Sequence, residues 1–374
     1  MREVFICRTN CLTPIGFDVA ENMANIEYGR SGIKQFDNEL MEKPFYAAIV
    51  DENELDNKFT EITSVDSYTK LEKMIILALK PVIRDFDPLS SKRTGIILST
   101  TKGNITALKQ GDVDDARLPQ LAQTIADFFG IKTEPIVISN ACVSGVLAIA
   151  VAKRMIQANL YDDVFVVSGD LVSEFVLSGF NSFQAMSDAP CKPYSANRTG
   201  VTLGEAAAAV HVTSNANNAT AKILGDGAIN DANHISGPSR TGEGLFLSIR
   251  NAMKEAKIEP AQIDYISAHG TATPFNDEME AIAFNRLELQ NVPVNSLKGY
   301  YGHTLGASGL LETVIGIESM NKNRLFASLG FDEIGVTQPI NVIAQNTDKN
   351  IGIFLKTASG FGGCNTAVLF EKIK

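Results

Sequence analysis

Four stretches of the chain combine residue types and spacings that could do nucleophilic or proton-transfer chemistry. In Ile138-Ser139-Asn140-Ala141-Cys142-Val143-Ser144-Gly145 an apolar run ends in a short polar turn that opens a helical period. A thiol at a helix start faces unpaired backbone N–H groups and the positive end of the helix dipole. That setting predicts a pKa below the free value of about 8.5, and hence a nucleophile. A buried, inert thiol is the competing reading, because free Cys is among the most buried residue types. In Ile266-Ser267-Ala268-His269-Gly270-Thr271-Ala272-Thr273-Pro274 a strand delivers His269 to the loop at its carboxyl end, where open α/β sheets build their sites. In residues 296–307, His303 stands behind Gly302 at a helix start, with Lys298 five residues upstream. Finally, Thr357-Ala358-Ser359-Gly360-Phe361-Gly362-Gly363-Cys364-Asn365 wraps three Gly around one Phe between strand-like runs at 351–356 and 366–370. Such glycines allow positive φ and let a backbone N–H face a ligand; a plain hairpin turn is the alternative.

These side chains need a scaffold. Runs rich in Val, Ile and Phe at 95–99, 135–139 and 164–168 alternate with helical periods at 68–84 and 118–129, which predicts an α/β fold with helices packed on a parallel or mixed sheet. A polar, turn-rich passage at 213–218 places a boundary between halves 1–214 and 215–374. Helical stretches 142–156 and 303–320 both carry Gly, Ala and Ser, which lets backbones approach closely, and each precedes a strand candidate, at 163–169 and 324–330. The parallel hints at an internal duplication. The chain has four His; His211 and His234 lack comparable surroundings and read as structural.

Composition removes several classes of function. The 374 residues are 45% hydrophobic and 20% charged, enough apolar material for a large core. Net charge is −10 and no dense basic run exists, so nucleic-acid binding is not expected. The longest apolar runs are about half of what a membrane span needs, so no span is expected. Residues 1–6 run into a strand-like segment without a long apolar signal region, which predicts a cytoplasmic protein. Five Cys, at 7, 11, 142, 191 and 364, are scattered without a metal-site or disulfide pattern.

Taken together the motifs resemble the β-ketoacyl-acyl carrier protein synthases, condensing enzymes of the thiolase superfamily. Thr13-Pro14-Ile15-Gly16, Gly29-Arg30-Ser31-Gly32-Ile33 and Leu203-Gly204-Glu205 extend the resemblance over nearly the whole chain. It implies a thiolase-like fold: two similar halves with mixed five-stranded sheets in an αβαβα arrangement. It also implies decarboxylative condensation of a malonyl-acyl carrier protein with an acyl chain held on Cys142. His269 and His303 would stabilise the enolate, and the backbone N–H groups of Cys142 and Phe361, in the loop of Ser359, Gly360 and Gly362, would hold the acyl oxyanion. Lys298 would sit beside the His pair with Glu280 as its acidic partner. Thr271 and Thr273 would bind the phosphopantetheine arm, which arrives on the carrier, so no resident cofactor or metal is expected. Lys192, with Lys70 and Lys73, would dock the acidic carrier, although a solvated helix face is the alternative for the last two. Family members are usually homodimers; a heterodimer with a related subunit is the other possibility.

The chain departs from the family pattern at Thr357-Ala358-Ser359, where Asn-Ser-Phe is usual, and at Thr199, where Asp is familiar. It also departs at Ala206-Ala207-Ala208, where Gly is favoured, and at Tyr300-Tyr301, where smaller side chains are frequent. These positions are expected to line or gate the acyl pocket, which predicts an acyl substrate unlike that of a housekeeping fatty-acid enzyme, as in a polyketide- or polyene-like pathway. Three other readings compete. A non-catalytic chain-length-factor subunit typically lacks the Cys. A thiolase needs a second Cys in Cys-x-Gly, which Cys364-Asn365-Thr366 does not supply. A zinc hydrolase could use Cys142, His269 and His303 as ligands, but their long separations speak against it.

Overall fold

A computed structural model describes residues 2–373 except 66, 88, 234 and 236. Five strands of the first half, β1 (Phe5–Leu12), β2 (Thr94–Ser99), β3 (Ile136–Ile138), β4 (Asp163–Asp170) and β5 (Ala206–Thr213), lie in the order β3-β2-β4-β5-β1. Five of the second half, β6 (Ala221–Asn230), β7 (Tyr265–Ser267), β8 (Pro293–Asn295), β9 (Ile353–Gly360) and β10 (Cys364–Lys372), lie in the order β8-β7-β9-β10-β6. A sixth short strand, Asn341–Val342, pairs parallel outside β8, so the second half exceeds the five strands expected; the permutation of the other five is the same as in the first half. So is the polarity: the first three strands of each list are parallel, and the last two pair antiparallel. β1 and β6 join the sheets through Phe5↔Lys222 and Ile6↔Ala221. A duplicated topology of this kind is a thiolase-like fold.

Helices fill three layers around the sheets. α1 (Lys70–Ile83) and α2 (Leu118–Phe129) cover the outer face of the first sheet, α3 (Ser144–Gln157) follows the strand β3, and α4 (Glu174–Ser182) follows β4. In the second half α5 (Glu243–Ala256) packs on β6 and β10, α6 (Pro274–Arg286) packs beside it, and α7 (Ser308–Lys322) lies between the sheets with α3. α7 is buried on nearly every side, from Ser308 to Met320, as a helix sandwiched between two sheets must be. Its small residues have the expected purpose: a Cβ on Gly145 would come within 2.5 Å of the Leu310 backbone nitrogen, and one on Gly309 within 2.7 Å of the Val146 nitrogen. α1 starts on a capping box formed by Thr69 and Glu72, and α2 ends on Gly130 in the left-handed conformation.

The strand expected at 324–330 is a correction. Only Arg324–Leu325 is extended, pairing with Thr347–Asp348 outside the main sheet, and the partner of β4 in the duplication is β9. Past Leu325 the ladder ends: Ser328 N–H makes a single bond to Ile343 O, and Phe331 N–H turns back to Ser328 O. Among the described residues no helix is long and apolar enough to cross a membrane.

Candidate active site

Cys142 sits in the turn between β3 and α3. Ala141 adopts φ 45°, a strained value for a residue with a Cβ, and is held there by Ser144 Oγ, which accepts from Asn140 N–H at 2.8 Å and donates to Ala141 O at 2.7 Å. The turn aims the thiol into a cavity while leaving Cys142 only 6% exposed. That burial pushes the thiol up to about 12, aided by Cys364 and Asp170 and opposed by Lys298 and the Phe361 backbone N–H. The expected depression at a helix start is therefore corrected: loss of water around the sulfur outweighs the dipole.

His303 follows the one-turn helix Lys298–Tyr301 and Gly302, whose φ of 69° reverses the chain. Its Nε2 lies 3.0 Å from Cys142 Sγ, and its Nδ1 lies 2.9 Å from Ser308 Oγ at the start of α7. His269, two residues past β7, stands edge-to-face on His303 with ring centroids 5.1 Å apart. Both imidazoles are buried, and burial first, the Lys298 ammonium second, hold them well below the usual value, so both are neutral near pH 7. Unlike His303, His269 has no partner for its Nδ1 among the described residues.

Glu280 is not the partner of Lys298. Its oxygens are occupied by the N–H groups of His269 (2.8 Å) and Gly270 (2.7 Å), with the Tyr194 hydroxyl and the Asn276 amide each at 3.0 Å. Lys298 Nζ instead donates to Glu312 on α7 at 2.7 Å and to His269 O at 2.5 Å. Glu312 also takes Lys356 of β9, at 2.5 Å. Glu312 and Lys356 did not emerge from the sequence. The available signal was a lone charge in an apolar run: Leu310-Leu311-Glu312-Thr313-Val314 and Ile353-Phe354-Leu355-Lys356.

The glycine-rich segment is both a hairpin and a wall of the site. Gly360 pairs with Cys364, leaving Phe361, Gly362 (φ 82°) and Gly363 (φ 76°) as the turn. A Cβ on Gly360 would lie 3.0 Å from Cys142 N, so glycine keeps the space beside that amide open. The Phe361 ring packs on Phe180 of α4 and on Phe183, at 5.4 and 5.1 Å. Together with Cys142, His269 and His303 these rings line a cavity of about 380 Å³. Thr271 and Thr273 line it too, their hydroxyls 2.8 Å apart, as do Thr199 and Ser359, which donates to Asn365 Oδ1 at 2.8 Å. Of the departures from the family pattern, only those at 199 and 359 reach this cavity; Tyr300, Tyr301 and Ala206 to Ala208 are buried away from it.

The basic residues divide. Lys192 is part-exposed, 3.7 Å from Asp332. Lys70 and Lys73 are a correction, since neither forms a docking patch or a solvated face. Lys70 reaches the buried Glu205 at 2.7 Å, and Lys73 reaches Asp56 at 2.8 Å, both largely covered by protein. His211 is indeed packed, stacked on Phe165 and bonded to Asp163, whereas His234 lies outside the described residues. Cys142, His269 and His303 offer three ligand atoms within 4.8 Å of one another, a donor set that could also hold a divalent metal.

Two family models, β-ketoacyl synthase N-terminal domain and β-ketoacyl synthase C-terminal domain, match residues 1–218 and 220–332. The chain belongs to the β-ketoacyl synthase family. A putative mitochondrial 3-oxoacyl-[acyl-carrier-protein] synthase of Schizosaccharomyces pombe is 27% identical over all of this chain and 99% of its own. A 3-oxoacyl-[acyl-carrier-protein] synthase 2 of Coxiella burnetii is 26% identical with the same coverage. Among solved structures, a ketosynthase in complex with its chain length factor from Xenorhabdus doucetiae superposes with a TM-score of 0.86 at 25% identity, covering 100% of this chain and 98% of that one. The ishigamide ketosynthase/chain length factor superposes with a TM-score of 0.89 at 23% identity, covering both chains fully. The β-ketoacyl synthases are condensing enzymes of the acyltransferase class, and this chain is one of them.

Proposed function

We propose that this synthase joins a Cys142-bound acyl chain to a malonyl unit delivered as a carrier thioester, with loss of CO₂. The observation that carries the reading is the Cys142 sulfur 3.0 Å from His303 Nε2, beside a second neutral imidazole, in one cavity. In acylation, Sγ attacks the carrier thioester; the new S–C bond forms as the carrier's S–C bond breaks, and the Sγ proton passes to the departing carrier sulfur. With its thiol pushed up to about 12, Cys142 has no standing thiolate, so the proton must leave as the bond forms, and His303 Nε2 is in place to relay it. The Ser308 hydroxyl facing Nδ1 can donate or accept, so it supports either His303 tautomer. His303 can thus accept from sulfur in one half-reaction and donate Nε2–H in the next.

In the second half-reaction the malonyl C–CO₂ bond breaks, its electron pair forming an enolate whose oxygen is held by N–H groups of His269 and His303. The carbanion attacks the acyl carbonyl, the oxyanion resting between the N–H groups of Cys142 and Phe361; as the carbonyl re-forms the acyl C–Sγ bond breaks, the 3-oxoacyl chain stays on the carrier, and Sγ takes up one proton from solvent by way of His303 Nε2. Each such donor is worth about 3 to 4 kcal/mol, a hundred- to thousandfold in rate. The Thr271 and Thr273 hydroxyls suit the amides of a pantetheine arm, Lys192 an acidic carrier, and no resident cofactor is required. The departures from the family pattern at Thr199 and Ser359, both in the cavity wall, are the ground for an acyl group other than a medium saturated chain.

Intact-mass spectrometry after incubation with short, long, unsaturated and aryl acyl-carriers tests both parts. An adduct on Cys142, absent from Cys142→Ala, is expected; no adduct, or one elsewhere, overturns the reaction, and a preference for medium saturated chains overturns the specificity. A second reading, a metal held by Cys142, His269 and His303, is favoured by their ligand spacing. Elemental analysis of purified protein separates the two, with well under one equivalent of zinc expected for the condensing enzyme.

A further inference from the structure

His269 presents a physical problem. A working imidazole is ordinarily oriented through its second ring nitrogen, as Ser308 orients His303, yet His269 Nδ1 is buried without a partner. Its ring direction must come from the backbone that carries it. That backbone leaves the sheet after Ser267, whose carbonyl closes the ladder, while those of Ala268 and His269 lie beyond it in the interior, where an unpaired carbonyl is costly. All three are taken by ammonium groups: Lys356 Nζ lies 3.2 Å from Ser267 O and 3.2 Å from Ala268 O, and Lys298 Nζ 2.5 Å from His269 O. Glu280 takes the N–H groups of His269 and Gly270 from the other side. Glu312 lies between the two cations and keeps them paired.

We propose that Lys356 is a positioning residue of the active site, a second buried ammonium that shares Glu312 with Lys298 and fixes the backbone on which His269 is presented. Position favours it: Lys356 stands opposite Ser267 in the parallel ladder of β7 and β9, so its side chain needs only to bend along the strand to reach the carbonyls beyond the ladder's end. The charge has a second effect, since a buried ammonium on the carbonyls just before His269 adds positive charge near both imidazoles and opposes their protonation. The other charged or titratable groups around His269 are Cys142 before α3, Lys298 and His303 before α7, Glu312 on α7, Glu280 and Asp277 on α6, and Tyr194 and Arg198 of the preceding loop. Removing one positive charge from this set leaves the rings easier to protonate.

The inference rests on the condensing reaction proposed above, and its test keeps the two separable. Lys356→Met removes the donor and the charge; Lys356→Gln keeps amide donors and removes only the charge; Lys356→Arg restores both. Three quantities are read: acylation of Cys142, decarboxylation of a malonyl-carrier, and the titration of the imidazoles by ¹⁵N–¹H correlation spectra from pH 8 down to the lowest pH at which the protein stays folded. For Lys356→Met we expect acylation within about threefold of wild type and decarboxylation reduced about ten- to a hundredfold, with Lys356→Arg recovering most of the loss. Lys356→Gln should move the acid limb of decarboxylation and the imidazole midpoints to higher pH. If Lys356→Met does not accumulate folded, Lys356→Gln alone decides. Wild-type decarboxylation and unmoved imidazole midpoints in a folded charge-free variant overturn the role of Lys356. A wild-type protein that neither acylates nor decarboxylates overturns the reaction, and the imidazole spectra still report on Lys356.

Discussion

At the scale of residues the site is governed by desolvation. The cavity takes water from one thiol and two imidazoles at once, and each responds by keeping its neutral form. Alkylation should report this directly. Iodoacetamide modification of Cys142, followed by peptide mass spectrometry, is expected to accelerate about tenfold per pH unit from pH 7 to 9 without levelling, since the thiolate fraction still grows there. A plateau near neutral pH would mean a preformed thiolate and would remove the need for His303 as proton relay. The imidazoles predict a different signature. Their lowered values mean that the folded protein takes up protons on these rings only below the ordinary titration near pH 6.5, so malonyl decarboxylation is expected to persist below pH 6 rather than fall through 6.5. His269→Ala and His303→Ala should each reduce it a hundredfold or more. Cys142, His269 and His303 could be singled out in the sequence because they are rare types delivered to strand ends and helix starts. The ion pairs could not. Spacing puts Glu280 near His269 but does not tell which carboxylate faces Lys298, and Glu312 sits one α7 face away in a run that reads as pure core.

At the scale of elements the close contact of α3 and α7 is what carries Cys142 from one half of the chain to within bonding distance of His303 from the other. Gly145 allows it, with no room for a Cβ against the Leu310 backbone. Gly145→Ala is therefore expected to destabilise by about 1 to 3 kcal/mol and to lower acylation as Cys142 shifts. Gly179→Ala, in α4 with open space around it, should be neutral or stabilising by up to about 1 kcal/mol, as Gly-to-Ala in a helix usually is. Chemical denaturation of the pair checks this; equal losses would mean that the α3–α7 contact has slack. The small-residue pattern made this contact readable from sequence, as periodicity did for α1 and α2. The segment at 324–330 misled because its apolar residues pack as loop anchors, Leu325 and Phe326 being buried without a continuous ladder. A two-residue strand and a longer one cannot be told apart by composition.

At the scale of the whole molecule the duplicated topology leaves two consequences. The halves are fastened by charge as well as by apolar packing: Lys153 on α3, fully buried, meets Asp226 of β6 at 2.8 Å and Glu255 of α5 at 2.6 Å. Lys153→Met should cost about 3 to 5 kcal/mol, because Asp226 remains buried with its charge only partly matched by Arg154. The whole chain should still unfold in one denaturant transition, since both halves share the α3 and α7 layer. The second consequence lies at the sheet edge. β3 pairs with β2 on one side only, so Ile136, Val137 and Ile138 are only half-buried and present an unpaired backbone row. Open edges with apolar side chains invite strand addition by another chain, and two copies meeting through β3 across a twofold axis would continue one sheet into the next. Light scattering should then give twice the 40.3 kDa chain mass for the purified protein, or a mixed species when a related subunit is co-expressed. Val137→Lys should yield folded monomer by placing a charge on that edge. A wild-type monomer with full condensing activity would sink the edge as the assembly surface, and a Val137→Lys dimer would move the interface elsewhere on the molecule.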